Sequence, residues 1–320
     1  MRLLLIVLVV ALAAVTTAVA LADPPSPDNP AGRSNDILGI VPTLPAASQD
    51  AGNGKGGGGS GLIYHGGPVL HANRTVPIYW GPATTFGPGY QTTINQYFVD
   101  VAADSGLNTN VYSVETQYYD VVNTVTTHIQ YSVAAGGSLA DASAPANSCT
   151  DAVSQTSVCV SDAAIQNEVA AQVPDPDPTT VYFVFTGKGV GSCYASSSCA
   201  FSSYCAYHSH FTRTVGGVTK TWLYANQPYA DTVPASCDAG YSPNGNDADA
   251  TINVASHEHR ESINDPFGNA WYDRRGAEGS DKCAWNFGAV TGNYNQTIHT
   301  HHYILQQEWS NSPSGCFLHG

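Results

Sequence analysis

The sequence predicts a single α+β domain over residues 62–320, with a mixed β-sheet and long loops tied by disulfides. Three observations predict this fold class. Short apolar runs of strand length alternate along the chain with segments of helical periodicity. Eight cysteines follow residue 148, as expected for long loops held by covalent links. A chain of 320 residues can also bury a substantial core of its own.

The predicted strands are rich in β-branched and aromatic residues, which suit a pleated and half-buried surface. They are residues 76–80, one or two strands within 121–133, residues 181–185, and residues 222–225. The run Val-Tyr-Phe-Val-Phe at 181–185 is the strongest of these patterns.

Three segments are predicted helices. Residues 92–103 place apolar side chains at helical spacing, and residues 163–173 follow as a second helix. The third helix covers residues 247–263. Its first turn is rich in Asp, which stabilises the positive end of the helix dipole, and Pro266 ends it.

Residues 1–22 are predicted to be a signal peptide, because a basic start precedes an apolar run and small residues. An uncleaved membrane anchor is the alternative, since twenty apolar residues can span a bilayer. The Ala-Leu-Ala step at 20–22 and the Pro-rich sequence after it favour cleavage. We therefore expect a secreted, extracellular protein.

Residues 23–61 are predicted to be a disordered leader. Pro, Asn, Gly and Ala dominate this segment, which ends in a glycine-rich run. A plain linker and a pro-segment that confers latency both remain open, although no cysteine in it can block a metal.

The charge balance narrows the partners. The chain has 25 Asp and Glu residues against 11 Lys and Arg residues, a formal net charge of −14. It should repel phosphate backbones, so nucleic-acid binding is disfavoured. No segment after the signal is long and apolar enough to span a membrane. We expect a monomer that acts on an extracellular peptide or a cell-wall substrate.

Eight cysteines in an exported chain predict four disulfides. A zinc cluster of thiolates is the alternative, and the lack of any Cys-x-x-Cys pair disfavours it. The spacing alone does not choose among the possible pairings.

The third predicted helix carries a candidate zinc site. His257 and Glu261 are four residues apart, so their side chains share one helix face and can bind one ion. Glu258 lies beside them and can take a proton from water at the metal, as in His-Glu-x-x-His metallopeptidases. An imidazole with carboxylates favours Zn²⁺ over Ca²⁺. The alternative is a surface helix whose charged residues are simply solvated.

A downstream acid is expected to complete this site, because catalytic zinc takes three protein ligands and one water. The segment at 278–283 supplies two acids after a turn. Asp281 is the first choice for the third ligand and Glu278 the second. His259 is two residues from His257, a rotation of about 200° on a helix, and is predicted to be solvated outside the site.

Several motifs, in order, resemble those of the Exordium/phosphate-induced protein family of secreted proteins. The similar segments are Tyr-His-Gly-Gly-Pro-Val-Leu at 64–70, Cys-Ala-Tyr-His at 205–208, the run from 257 to 272, Glu-Gly-Ser-Asp-Lys-Cys at 278–283 and the closing segment 303–316. The resemblance covers roughly residues 62–318 and is loose over 105–180. It implies secretion and fold more strongly than catalysis.

The resemblance adds His208 as a possible catalytic residue that stabilises an oxyanion. By its residue pattern alone, a histidine three positions after a cysteine in a Gly/Ser-rich loop is more often a loop anchor. Where the family has an apolar pair, this chain has His259-Arg260, which predicts a more exposed side of the helix.

The resemblance also implies which cysteines are shared with the family: Cys205, Cys237, Cys283 and Cys316. The other four are then extra, and short-range pairs are expected for them: Cys149–Cys159 and Cys193–Cys199.

The order of the elements resembles a zincin-like domain, in which an edge strand binds an extended substrate beside the active-site helix. We expect a secreted zinc-dependent hydrolase of the peptidase type. Its metal ligands would be His257, Glu261 and Asp281 or Glu278, with Glu258 as general base. The alternative is a non-catalytic extracellular or cell-wall-associated protein, in which the same residues form a structural metal site or none.

Overall fold

The computed structural model describes residues 37–47, 60–151 and 156–320. The predicted signal peptide and most of the predicted leader lie outside these residues. The α-helices that position the site or cover the sheet are α1 (Tyr90–Ala103), α2 (Asp162–Gln172), α3 (Pro234–Cys237), α4 (Ala248–Asn264) and α5 (Gly279–Lys282).

The strands are, in chain order, β1 (Ile37–Pro42), β2 (Ile63–Tyr64), β3 (Asn73–Trp80), β4 (Tyr119–Val122), β5 (Val125–His128), β6 (Val133–Ala135), β7 (Leu139–Asp141), β8 (Val158–Ser161), β9 (Thr180–Thr186), β10 (Val190–Ala195), β11 (Ser198–Cys199), β12 (Tyr204–Val215), β13 (Val218–Gln227), β14 (Trp271–Tyr272), β15 (Gln296–Ile298), β16 (His301–Tyr303), β17 (Glu308–Asn311) and β18 (Ser314–Phe317).

Seven of the strands form the main sheet, in the order β1-β12-β13-β9-β3-β6, with β7 also paired to β3. Strand β12 pairs antiparallel with β1 on one side and with β13 on the other. From β13 onward the pairing is parallel through β9 and β3 to β6 and β7. The predicted α+β class and the predicted mixed sheet are therefore confirmed.

The predicted elements are present, with ends that shift by a few residues. The helix predicted at 247–263 is α4, and the strongest predicted strand, 181–185, is the centre of β9. The region 121–133 contributes the hairpin β4–β5 and the start of β6. Local apolar pattern was sufficient where an element buries apolar side chains, as β9 and α4 do.

Apolar side chains pack on both faces of the sheet. Along β9, Phe183 and Phe185 belong to the core cluster that contains α1, whereas Tyr182 and Val184 belong to the cluster that contains α2. This alternation follows from the two-residue repeat of a strand. Helix α4 supplies side chains to both clusters, so it is enclosed rather than laid on a surface.

The prediction of a disordered leader at 23–61 is wrong for part of that segment. Residues 37–42 form β1, which pairs antiparallel with β12 in the main sheet. Ile37 and Val41 are buried there. The leader has too few apolar residues to form a core of its own. Its apolar side chains in β1 are instead buried against the rest of the domain.

All eight cysteines are paired as four disulfides. The expected short-range pairs, Cys149–Cys159 and Cys193–Cys199, are confirmed. The remaining pairs are Cys205–Cys237 and Cys283–Cys316. With no free thiol, a thiolate zinc cluster is excluded.

The part of the chain that the structure describes holds no helix with both the length and the apolarity needed to cross a bilayer.

Candidate metal centre

Helix α4 is buried along its whole length, including every charged residue of the segment 257–261. The helix packs against β12, β13 and α5 and contacts β1. Charged side chains in such a position need partners, because desolvation without compensation is costly. The alternative of a surface helix with solvated charges is therefore wrong.

His259 faces away from His257, as the sequence predicts, but the prediction that it is solvated is wrong. It is fully buried, with Nδ1 2.9 Å from the Tyr112 hydroxyl and Nε2 2.8 Å from Asn73 Oδ1. Burial, and then the charge of Arg260, lowers the pKa of His259 to about 3. The imidazole is therefore neutral and serves the core of the fold.

Arg260 corrects the expectation of a more exposed helix side in the same way. Its guanidinium is fully buried, and Nε donates to Glu308 Oε2 over 2.8 Å. Its other nitrogens donate to Ser256 Oγ and, over 3.2 Å, to the Gln306 carbonyl. The buried guanidinium is tolerated at this position because a carboxylate from β17, that of Glu308, reaches it.

The tautomer of His257 is fixed by Gln306. The backbone N–H of Trp285 donates to Gln306 Oε1 over 2.8 Å, so this atom is an acceptor, the carbonyl oxygen of the amide. His257 Nδ1 lies 3.2 Å from the same oxygen and must be the donor. In the neutral imidazole, Nε2 then carries the lone pair that can bind a metal.

Two carboxylates converge on His257 Nε2. Glu261 Oε1 lies 3.1 Å from it and Asp281 Oδ1 lies 3.5 Å from it. Nε2 nevertheless has no partner with hydrogen-bond geometry among the described residues. Ligands of a tetrahedral zinc ion at ordinary bond lengths lie about 3.3–3.5 Å apart. The two distances from Nε2 are close to this spacing, and the ligand atoms of all three residues lie within 4.8 Å of one another.

Asp281 is held in this position by the backbone at the start of α5. Its own N–H donates to Glu261 Oε1 over 2.9 Å, and its Oδ2 accepts from the Glu278 N–H at 3.1 Å. The Asp281 side chain is 20% exposed, whereas those of His257 and Glu261 are fully buried. Solvent can therefore approach the cluster from the side of Asp281.

Glu258 and His208 form the neighbouring half of the cluster. His208 Nδ1 lies 3.1 Å from Glu258 Oε2, and the Val41 N–H donates to Glu258 Oε1 over 3.2 Å. His208 lies in β12 and is buried, so the interpretation of it as a loop anchor is wrong. The alternation of a buried strand points its ring at α4.

Glu278 is placed on the His208 side. Its Oε1 lies 3.8 Å from His208 Nε2, and the atoms that converge with His257 come from Glu261 and Asp281 instead. Glu261 also converges with His208 and Glu258 as a second group of possible ligand atoms. Of the two acids considered for the third ligand, Asp281 is the one beside His257.

The carboxylates of the cluster outnumber its histidines, which are the groups in it that can carry positive charge. Burial raises the pKa of Glu258 well above its usual value of 4.5, and burial followed by Asp281 raises the pKa of Glu261 to about 7. Burial alone would lower the pKa of His257, but the surrounding carboxylates, Glu261 foremost, raise it well above 6.5. Protons or a metal cation can supply the missing charge.

Three contributors to the site were missed by the sequence analysis: Gln306, Glu308 and strand β1. Each reaches the cluster from a distant part of the chain, so local spacing around His257 contains no sign of it. Gln306 and Glu308 do lie within the closing segment 303–316, which the sequence analysis singled out as a motif without assigning it to the site.

Comparison of the chain with protein-family models, with curated proteins and with solved structures gave no match.

Proposed function

We propose that this chain is a secreted zinc-dependent hydrolase of the peptidase type. His257, Glu261 and Asp281 would hold the ion. The observation that carries this proposal is the convergence on the buried His257 Nε2 of two carboxylate oxygens, at 3.1 and 3.5 Å, neither of them in hydrogen-bond geometry with it. A cation at that point would bind all three side chains and balance the charge of the two carboxylates.

Zinc in this position would supply a Lewis acid that polarises a carbonyl group. The carboxylate of Glu258 is the general base and takes a proton from the attacking water. Burial raises the pKa of Glu258, and a cation beside it would favour the charged carboxylate, which is the form that a general base needs. His208, 3.1 Å from Glu258 Oε2, orients that carboxylate and can donate to a developing oxyanion.

A zincin-like architecture is part of the proposal. Helix α4, which carries the His-Glu-x-x-Glu pattern, packs against the antiparallel strand β12. Export is part of it as well, supported by the four disulfides. Kinship with the Exordium family is proposed on the ordered motifs alone.

A structural metal site is the second candidate, because the histidines and glutamates of the cluster are fully or almost fully buried. A structural zinc has four protein ligands and no open position, whereas a catalytic zinc retains water. X-ray absorption spectroscopy of the zinc-loaded chain distinguishes the two cases by the number of protein ligands.

The zinc content of the purified chain tests the site. We expect about one zinc per chain, and we expect His257→Asn and Asp281→Asn to lose it after dialysis against a weak chelator. The matched control is His302→Asn, an exposed histidine outside the cluster. Zinc retained by both cluster variants, or absent from the wild-type chain after zinc is supplied, would contradict the proposed ligands.

Glu258→Gln separates catalysis from metal binding. The variant should keep its zinc and lose hydrolysis of a labelled unfolded protein by at least about 100-fold, the range for loss of a general base. Glu168→Gln on α2, also a buried acid, is the control that keeps activity. Activity is measured on the intact chain and on a chain cut once between Gly57 and Gly58. The cut separates strand β1, whose Val41 N–H contacts Glu258, from the rest of the domain. Wild-type activity in Glu258→Gln would refute this role.

A further inference from the structure

We propose that strand β1 fills the substrate groove of this site, and that the groove binds an extended peptide containing glycine between two apolar residues. The peptide would pair antiparallel with β12, as β1 does. The role of β1 as a built-in substrate mimic rests on the proposed function, whereas binding of a peptide in the groove does not.

The position of β1 in the sheet is that of an added strand. It is the terminal strand, and its only sheet neighbour among the described strands is β12. In their register, Ile40 lies opposite Tyr207, the residue before His208, and Val41 lies opposite Ala206. Without β1, the exposed edge would be β12, which carries a site residue. Open sheet edges are a common binding mode for extended peptides.

The backbone of β1 makes direct contact with the proposed catalytic base. The Val41 N–H donates to Glu258 Oε1 over 3.2 Å, and the Pro42 carbonyl accepts from the Trp285 indole N–H at 2.7 Å. Both contacts use main-chain atoms, which any extended peptide can supply. While β1 is in place, Glu258 is engaged and its surroundings are closed.

Gly39 lies at the closest approach to the cluster. A Cβ atom at this position would come within 1.8 Å of Glu261 Oε2 and 2.7 Å of both Glu278 Oε2 and the Cε1 atom of His208. No side chain fits there without moving these groups. The groove therefore selects a residue that brings bare backbone against the carboxylates.

The neighbouring positions explain the apolar requirement. The register with β12 shifts between Ile37 and Ile40, so burial rather than strict alternation identifies the inward positions of β1, which are Ile37, Gly39 and Val41. All three are buried, and the two aliphatic side chains belong to the core cluster that contains α2. The resulting pattern is apolar-x-Gly-x-apolar, and it defines the class of peptide that we expect to bind.

The sequence around β1 suits a segment that can be released. A glycine-rich stretch, Gly-Lys-Gly-Gly-Gly-Gly at 54–59, follows it, and a single cut there removes its covalent link to residues 60–320. After such a cut, β1 is held by pairing with β12, by its backbone contacts to Glu258 and Trp285 and by its buried side chains. A substrate peptide of the same pattern can then compete for the groove.

The test uses the full chain with a site-specific protease sequence inserted between Gly57 and Gly58. The chain is folded, loaded with zinc and then cut. The probe is a fluorescent synthetic peptide with the sequence of residues 35–44, and its binding is followed by fluorescence anisotropy. The cut chain should bind the probe, and the uncut chain should bind at least about tenfold more weakly. A probe with Val in place of the Gly39 equivalent should also lose at least about tenfold in affinity.

A second variant covers the case in which β1 stays bound after the cut. Gly39→Val in the chain itself should weaken β1, so the cut variant should bind the glycine probe at least as well as the cut wild type. Circular dichroism and zinc content verify that it is folded. If neither cut chain binds the glycine probe while zinc is retained, the proposed groove is refuted. Equal binding of the glycine and Val probes would refute it as well. If the cut chain binds the probe but does not hydrolyse the labelled unfolded protein, the proposed hydrolase is refuted and the proposed groove is not.

Discussion

Arg260 and Glu308 form a fully buried ion pair, in which the guanidinium Nε donates to the carboxylate Oε2 over 2.8 Å. The pair contacts residues that adjoin the candidate metal centre. Arg260 also donates to the carbonyl of Gln306, the residue that orients His257. Glu308 accepts from Ser280, the neighbour of Asp281. One ion pair therefore links helix α4, strand β17 and helix α5, which carries Asp281.

Removing one partner of this pair should destabilise the fold strongly. Glu308→Ala leaves a buried guanidinium without its counter-charge, which typically costs about 3–5 kcal/mol. The double variant Arg260→Met/Glu308→Leu should recover most of that loss, because two apolar side chains avoid the desolvation penalty. Denaturant unfolding of the zinc-free proteins measures both values. A loss below about 1 kcal/mol in Glu308→Ala, the level of an exposed pair, would contradict this view of the pair.

Gln306 should control metal affinity without contacting the metal. Gln306→Leu removes the acceptor for His257 Nδ1, so the ring is no longer fixed in one tautomer and orientation. Loss of such a partner typically weakens metal binding by about 10–100-fold. Competition with a chromogenic zinc chelator measures the change.

The adjacent residue provides a matched control for that measurement. Gln307 is directed to the Cys316 carbonyl instead of the cluster, so Gln307→Leu should leave the zinc affinity unchanged. Equal affinities in the two variants would show that the orientation of His257 does not depend on Gln306.

The disulfides should differ in their importance for the site. The Cys283–Cys316 bond closes a separation of 33 residues, for which chain entropy gives about 3.7 kcal/mol of stabilisation, against about 2.7 kcal/mol for the 10 residues of Cys149–Cys159. Replacing each pair by Ala tests these values by thermal or denaturant unfolding.

Zinc affinity should distinguish the same two disulfides more clearly than stability does. Cys283 is two residues from Asp281, so loss of its bond should loosen the third ligand and lower the zinc affinity. Loss of Cys149–Cys159, whose apolar contacts are with the two remaining extra cysteines, should leave the affinity unchanged. The opposite order of zinc affinities would contradict this assignment.

Much of the fold follows from local sequence. The predicted strand at 181–185 and the helix at 247–263 are present, because a continuous apolar run and a segment with an Asp-rich start and a Pro after its end each encode one element. The pair His257 and Glu261 was also accessible, since a spacing of four residues fixes a shared helix face. The burial of His259 and Arg260 was not accessible, because their partners Tyr112 and Glu308 lie far away in the sequence.

The sequence by itself determined the α+β class, the presence of cysteines for four disulfides and the residues from which a metal centre can be built. The tertiary structure alone decided which acid meets His257, that His208 approaches Glu258, and that β1 covers the cluster. The reason is physical. Helix and strand periodicity act over a few residues, whereas the approach of distant carboxylates and of a strand edge depends on how sheet order and loops bring those segments together.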